Sequence, residues 1–369
     1  TTMLGNKMTF MIDAVVDLTP SEQIGSEMIN PPDDGVADQY EHVGHRCEKA
    51  THLIVVLHGL LGDSSELDNV VKAIVEEGNK GDLQTGYIIV RPTTNEANIR
   101  TLEGTQACAL RALKPVLEVL EAWPELKEFS LVAHCFGGVY GRVLLKLMAD
   151  RGILPGATNT IPDTPARLTP VSFIALASPF LGSRRNLTGW KNWGNLVVQK
   201  SLPYLSEKTG KELLLEDNRM IVHEIATARE YLEPLRQFNR RILYANAYND
   251  SLVPFCTAAI EGSNPHEQRQ DEPVPMSTRF PSIVGEAESE LQLSRVTRGA
   301  FEGDTKKEQL LEILSSLNTL SWTKYHLKIK GVAHSNMLGT SLFSFGSDVP
   351  LHIAQHIFPP STNPSEFVR

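Results

Sequence analysis

Three residues of this chain have the types and the chain order that covalent acyl chemistry needs. Cys135 lies in Ala133-His-Cys-Phe-Gly137, Asp250 in Asn249-Asp-Ser-Leu-Val-Pro254, and His334 in Gly331-Val-Ala-His334. A thiol attacks a carbonyl carbon once a neighbouring base takes its proton, and an imidazole held through its other ring nitrogen by a carboxylate is such a base. The five residues around Cys135 are a variant of the G-x-S-x-G nucleophile elbow, with sulfur where serine oxygen is the rule. An elbow holds its apex in a strained conformation, so the positions two before and two after must be small; Ala133 and Gly137 are.

The elements around these residues are those that would position them. Phe129, Leu131 and Val132 form a short apolar run suited to a strand buried on both faces, and Val139 to Ala149 continues with the spacing of a packed helix. Upstream, residues 8–17 read as an opening strand and residues 19–38 as a polar, proline-bearing stretch. The core begins at Thr51 with strand His52 to Leu57. A helix from Ser65 to Glu77, capped by Ser64 or Ser65, a strand Gly86 to Arg91 and a helix Thr101 to Trp123 precede the elbow. Strand Val171 to Ala177 follows it. Alternation of this kind predicts a mostly parallel sheet covered by helices on both faces.

The rhythm then breaks twice. Residues 182–235 are mixed and are expected to form a cap, and residues 261–304 read as an irregular, acidic, proline-containing insertion. Between them Arg241 to Asn246 restores a strand. Lys306 to Asn318 is an amphipathic helix, Tyr325 to Lys330 a strand, and Leu351 to Ile357 a final helix. The expected division is therefore an N-terminal segment over residues 1–50 and one catalytic domain over residues 51–369.

In an α/β-hydrolase the nucleophile, acid and histidine follow one another in that chain order, each after a sheet strand. Cys135, Asp250 and His334 fill those places, with Asp217 and Asp271 as fallback acids and His326, His352 and His356 as poorer bases. An oxyanion needs two preorganised N–H donors. Phe136, at the start of the elbow helix, and Leu60, in His58-Gly-Leu-Leu-Gly62, are the candidates. His58 is expected to brace its loop and His134 to be a packed structural residue. Leu61, Phe180, Trp190, Trp193 and Phe255 are candidate pocket walls.

The chain resembles the Putative serine esterase family of lipase-like α/β-hydrolases from about Thr51 to Ala259. The resemblance is carried by His58-Gly59 with Gly62, by His134-Cys-Phe-Gly-Gly138, by Leu176-Ala-Ser-Pro-Phe-Leu-Gly182, by Lys208-Thr-Gly-Lys-Glu-Leu-Leu-Leu-Glu-Asp217, and by Arg241 to Asn246 through Asn249-Asp250 and Val253-Pro254. It implies an esterase or lipase acting on carboxylic esters, often acylglycerols or phospholipids. Asp250 and His334 would be acid and base, and the segment after Gly182 a lid over an acyl pocket. The chain departs from the family at Cys135, where the family has serine, and at Phe136, where it has leucine.

That departure leaves several readings of the scaffold: a cysteine-dependent or serine-type hydrolase, the latter if Cys135 stands where the natural protein has serine; a lipid-binding protein without turnover; an acyltransferase using the same triad; and a thiol redox sensor. Sulfur is larger than oxygen and thiolate leaves more readily than alkoxide, so activated esters, thioesters and aryl esters suit such a site better than alkyl esters.

Composition narrows the field. With 369 residues, 41% hydrophobic and 21% charged, the chain can bury a large core. A net charge of -9 without a strong basic cluster excludes nucleic acid as the expected partner, leaving a small-molecule or lipid ester. Cys47, Cys108, Cys135 and Cys256 show neither zinc-ligand nor disulfide spacing, and the histidines show no metal motif, so no cofactor is expected. No apolar run is long enough to span a bilayer and no secretory leader is visible, which fits a cytoplasmic protein with at most peripheral membrane contact. The opening Thr1-Thr2 suggests that the native start lies upstream.

Overall fold

A computed structural model describes residues 50–80, 86–96, 99–157, 166–183, 207–267, 273–288 and 300–359. The expected strand at 8–17, the polar stretch at 19–38, Cys47, Trp190, Trp193 and Asp271 lie outside the described residues.

The centre is a seven-stranded sheet of β1 (Ala50–Leu57), β2 (Gly86–Val90), β3 (Glu128–His134), β4 (Thr169–Leu176), β5 (Arg240–Asn246), β6 (Ile283–Glu288) and β7 (Thr323–Leu327), in the order β2-β1-β3-β4-β5-β7-β6. Six strands are parallel and β6 runs antiparallel along β7 at the edge. Near-continuous burial along β1, β2 and β3 matches strands covered on both faces, where no alternation of polar and apolar residues is needed. Alternate side chains do separate the two cores: Leu53, Val55 and Leu57 face one, Ile54 and Val56 the other.

The first core is closed by α2 (Thr105–Ala122), α3 (Gly137–Ala149), α5 (Ile221–Thr227), α6 (Arg229–Arg236) and α8 (Lys307–Leu317); the second by α1 (Asp68–Gly78), α7 (Phe255–Ala259) and α10 (Val349–Ile357). Two short helices, α4 (Lys208–Leu213) and α9 (Ala333–Asn336), complete the set described. The architecture is the α/β-hydrolase fold expected from the sequence.

Several boundaries differ from the sequence expectation. The helix expected from Ser65 begins as a 3₁₀ turn, Ser64–Leu67, and its cap is Asp63, whose carboxylate accepts from the Ser65 N–H. The helix expected from Thr101 is interrupted by Gly104 at φ 100°, so α2 starts at Thr105. The insertion expected to be irregular contains β6. Its Gly285 hides the strand from a pattern reading, and a side chain there would come within 3.1 Å of His326 Nδ1. The last strand ends at Leu327, three residues short of Lys330.

Candidate active site

Strand β3 delivers Cys135 at φ 53°, a left-handed conformation that costs an L-residue about 1 to 3 kcal/mol and is the strain of an elbow apex. The Cys135 N–H donates to the Leu176 carbonyl at 2.8 Å, which fastens the turn to β4. Helix α3 starts at once, at Gly137, which sets the apex at a helix N-terminus. The close approach explains three glycines. A Cβ at Gly137 would lie 2.6 Å from the Leu57 carbonyl, one at Gly138 2.2 Å from Ser178 Oγ, and one at Gly59 2.8 Å from Cys135 Cβ.

Strand β5 ends just before Asp250, and all of its acceptor capacity is used. Oδ1 takes the N–H groups of Leu252 at 3.0 Å and Val253 at 2.9 Å; Oδ2 takes Asn246 Nδ2 at 2.9 Å and faces His334 Nδ1 at 3.0 Å. The residue both caps its turn and orients the imidazole. Burial would raise its carboxyl, but the His334 charge and these donors hold it below the usual carboxylate range. His334, on α9 after β7, shows the converse: burial would lower it, yet Asp250 and then Cys135 hold it well above the ordinary imidazole value. The tertiary structure thus gathers Cys135, Asp250 and His334 at the C-terminal ends of β3, β5 and β7. A thiol, an imidazole and a carboxylate in that series can pass a proton from sulfur to nitrogen and keep the resulting cation paired.

Among the described residues, neither the Leu60 nor the Phe136 N–H donates to any acceptor. The loop bearing Leu60 is pinned around them. His58 Nδ1 donates to the Gly59 carbonyl at 3.0 Å, the Tyr140 hydroxyl donates to the His58 carbonyl at 3.0 Å, and the Leu61 N–H donates to Thr101 Oγ1 at 2.9 Å. His58 therefore braces its loop, as its position suggested.

The pocket candidates divide. Leu61 is 41% exposed, beside the loop. Phe180 and Phe255 are core residues on opposite faces of the sheet. Phe180 packs on Phe173, Trp322 and Arg142, and Phe255 on His266 and His326, because large aromatics beside buried strands fill interhelical volume first. The fallback Asp217 caps α5 through the Ile221 N–H at 3.0 Å. His352 and His356 are buried among aromatics, which pushes their imidazoles down to about 3 and about 4, too low for a base at neutral pH. Burial likewise pushes the Cys108 and Cys256 thiols up, to about 11 and about 12.

Sequence reasoning missed Asn246 as a partner of Asp250 and Glu66 as a partner of His134 and of the Gly59 N–H. An i, i+4 contact across a strand end and a contact between a helical turn and a distant strand leave no periodic signal.

Residues 47–263 match the family described as "Putative serine esterase (DUF676)". "Putative lipase ROG1" of Saccharomyces cerevisiae is 26% identical over 222 residues, 58% of this chain and 29% of that protein. "Putative lipase C4A8.10" of Schizosaccharomyces pombe is 25% identical over 228 residues, 58% of this chain and 27% of that protein. The chain thus spans less than a third of the length of either. Among solved structures it is similar to phospholipase PlaB from Legionella pneumophila, with TM-score 0.35, 14% identity and coverage of 54% of this chain and 38% of that one. It is also similar to Est1E from Butyrivibrio proteoclasticus, with TM-score 0.31, 12% identity and coverage of 62% and 81%. With more than half of its length matched, the chain belongs to the Putative serine esterase family of lipase-like α/β-hydrolases.

Proposed function

We propose that this chain hydrolyses carboxylic esters of the lipid, acyl or aryl class through a covalent acyl-enzyme formed on Cys135. Sγ attacks the acyl carbon, and the carbonyl electron pair moves onto oxygen between the N–H groups of Leu60 and Phe136. His334 takes the thiol proton and returns it to the alcohol as the carbon–oxygen bond breaks. Water, deprotonated by the same imidazole, then attacks the thioester; the carbon–sulfur bond breaks, Sγ takes that proton back from His334, and the acid is released. Asp250 holds the ring and the charge that forms on it. Of the cap expected over residues 182–235, residues 184–206 lie outside the described residues, and α5 and most of α6 pack into the first core. The lipase names of the relatives favour a lipid acyl chain. An aryl or thioester leaving group is the better partner for sulfur, since it competes with thiolate in leaving the tetrahedral intermediate.

The single observation that carries this reading is the 3.0 Å contact of His334 Nδ1 with the buried carboxylate of Asp250, whose remaining capacity is already satisfied. In the test, Cys135 is labelled with iodoacetamide and turnover of p-nitrophenyl and acyl-thioester substrates is followed. Asp250→Asn should lower turnover by about 10³- to 10⁴-fold, as loss of the orienting carboxylate does in hydrolytic triads. His334→Ala should slow labelling as well. Labelling at the parent rate in His334→Ala would reject Cys135 as the activated nucleophile.

A further inference from the structure

Behind the row Cys135, His334 and Asp250 lies a second imidazole and carboxylate that the steps above do not use. His134 ends β3 and is buried, while Glu66 stands on the 3₁₀ turn Ser64–Leu67 with its side chain 27% exposed. Glu66 Oε1 accepts the Gly59 N–H at 2.8 Å and lies 3.2 Å from His134 Nδ1. On the other side, His134 Nε2 lies 3.2 Å from the backbone carbonyl of His334. Two side chains thus join three segments: the loop that presents the Leu60 N–H, the turn that presents Cys135, and the helix that presents His334.

Protonation follows from the same geometry. Both ring nitrogens of His134 face oxygen acceptors, but a neutral imidazole has only one N–H. One contact must then set lone pair against lone pair, whereas an imidazolium satisfies both. A cation there is favoured by Glu66 but opposed by burial and by His334, whose ring centroid is 4.7 Å away, and burial prevails, holding the imidazole below its ordinary value. The other titratable groups facing this pair are His58 and Tyr140 on the Glu66 side, Cys135 next in the chain, and Asp250 beyond His334. A proton on the pair and a proton on His334 therefore compete.

We infer that Glu66 and His134 are positioning residues for the hydrolytic reaction, holding the Gly59–Leu60 loop and the His334 helix against the nucleophile turn through the chain of contacts from the Gly59 N–H through Glu66 and His134 to the His334 carbonyl. The inference rests on the hydrolase reading above, and its test has a readout that does not need turnover. Glu66→Gln removes the charge and keeps the shape. It should lower kcat on a p-nitrophenyl ester roughly ten- to hundredfold with KM within about twofold, because placement of the reacting groups rather than binding is lost. It should also move the midpoint of the pH profile for Cys135 alkylation by iodoacetamide by about half a pH unit or more. His134→Asn keeps a donor where Nδ1 sits and His134→Gln one where Nε2 sits, so each should retain more activity than His134→Ala.

A folded Glu66→Gln with the parent's kcat and alkylation profile would overturn the inference. Should that variant fail to fold, His134→Asn and His134→Gln decide in the same way: both matching His134→Ala in kcat and in alkylation profile would overturn it. If the parent turns over no ester, the hydrolase reading fails, and the alkylation profile alone decides the positioning role: a shift upholds it and an unchanged midpoint overturns it.

Discussion

At the scale of single residues, the proposed chemistry turns on one atom at the elbow. Sγ of Cys135 sits on a left-handed turn, and the amides of Leu60 and Phe136, which donate to no acceptor among the described residues, are its proposed oxyanion donors. Longer bonds to sulfur displace the developing charge relative to those donors. Cys135→Ser should therefore raise hydrolysis of simple alkyl esters by roughly tenfold or more. It should gain covalent labelling by a fluorophosphonate, and the iodoacetamide adduct should disappear; mass spectrometry of intact protein reads both reagents. A serine variant inert to the fluorophosphonate would mean that the triad proposed here does not activate a nucleophile. Cys135, Asp250 and His334 were legible as candidates because each follows a strand in a fixed chain order. Glu66 was not, since its contact with Gly59 is made by an irregular turn and its contact with His134 arises only through the approach of β1 and β3.

At the scale of elements, the elbow works because β1, β3 and α3 approach within contact distance of one another. Gly137 has the Leu57 and His58 carbonyls where a side chain would begin, so no rotamer relieves the conflict. Gly137→Ala should push the start of α3 from the β1 loop, separating the Phe136 and Leu60 amides. Turnover should fall about hundredfold while stability falls by about 1 to 3 kcal/mol, checked by kcat together with urea unfolding. Full activity in Gly137→Ala would show that the close approach is not needed. Long, strongly patterned elements such as α3, α8 and the parallel strands were visible in the sequence. The edge strand β6 was not, because its burial alternates over only six residues and a glycine interrupts it. The start of α2 was shifted by a left-handed Gly104, whose conformation is set by neighbours from α4: a Cβ there would lie 2.7 Å from both Lys208 Cε and Glu212 Oε1.

At the scale of the whole molecule, burial of imidazoles shapes the response to pH. His52, His352 and His356 are pushed to about 4, about 3 and about 4 by burial, and His134 is also lowered, whereas His334 is raised. Below the ordinary value of 6.5 the unfolded chain takes up protons that the lowered groups refuse, so stability falls as pH falls from 6.5 toward 4. His334 acts in the opposite sense: its contribution is complete below 6.5 and is lost as pH rises through its raised value. Each refused proton steepens the acid limb by about 1.4 kcal/mol per pH unit, and His352→Gln should remove one such increment. Urea unfolding from pH 4 to 8 measures it; an acid limb of unchanged slope in His352→Gln would refute the assignment.

The amino-acid sequence by itself determined the α/β alternation, the order of the candidate nucleophile, acid and base, and the small residues that an elbow requires. Those properties are local, written in hydrophobic period and in residue size next to a turn. Tertiary structure alone decided that Asp250 spends one oxygen on its own turn and the other on His334. It also decided that Phe180 and Phe255 fill core volume, and that His134 stands between Glu66 and the backbone of His334. Apart from the Asp250 turn itself, these are contacts across tens to hundreds of residues, and only the packing of the sheet and its helices fixes which oxygen meets which proton.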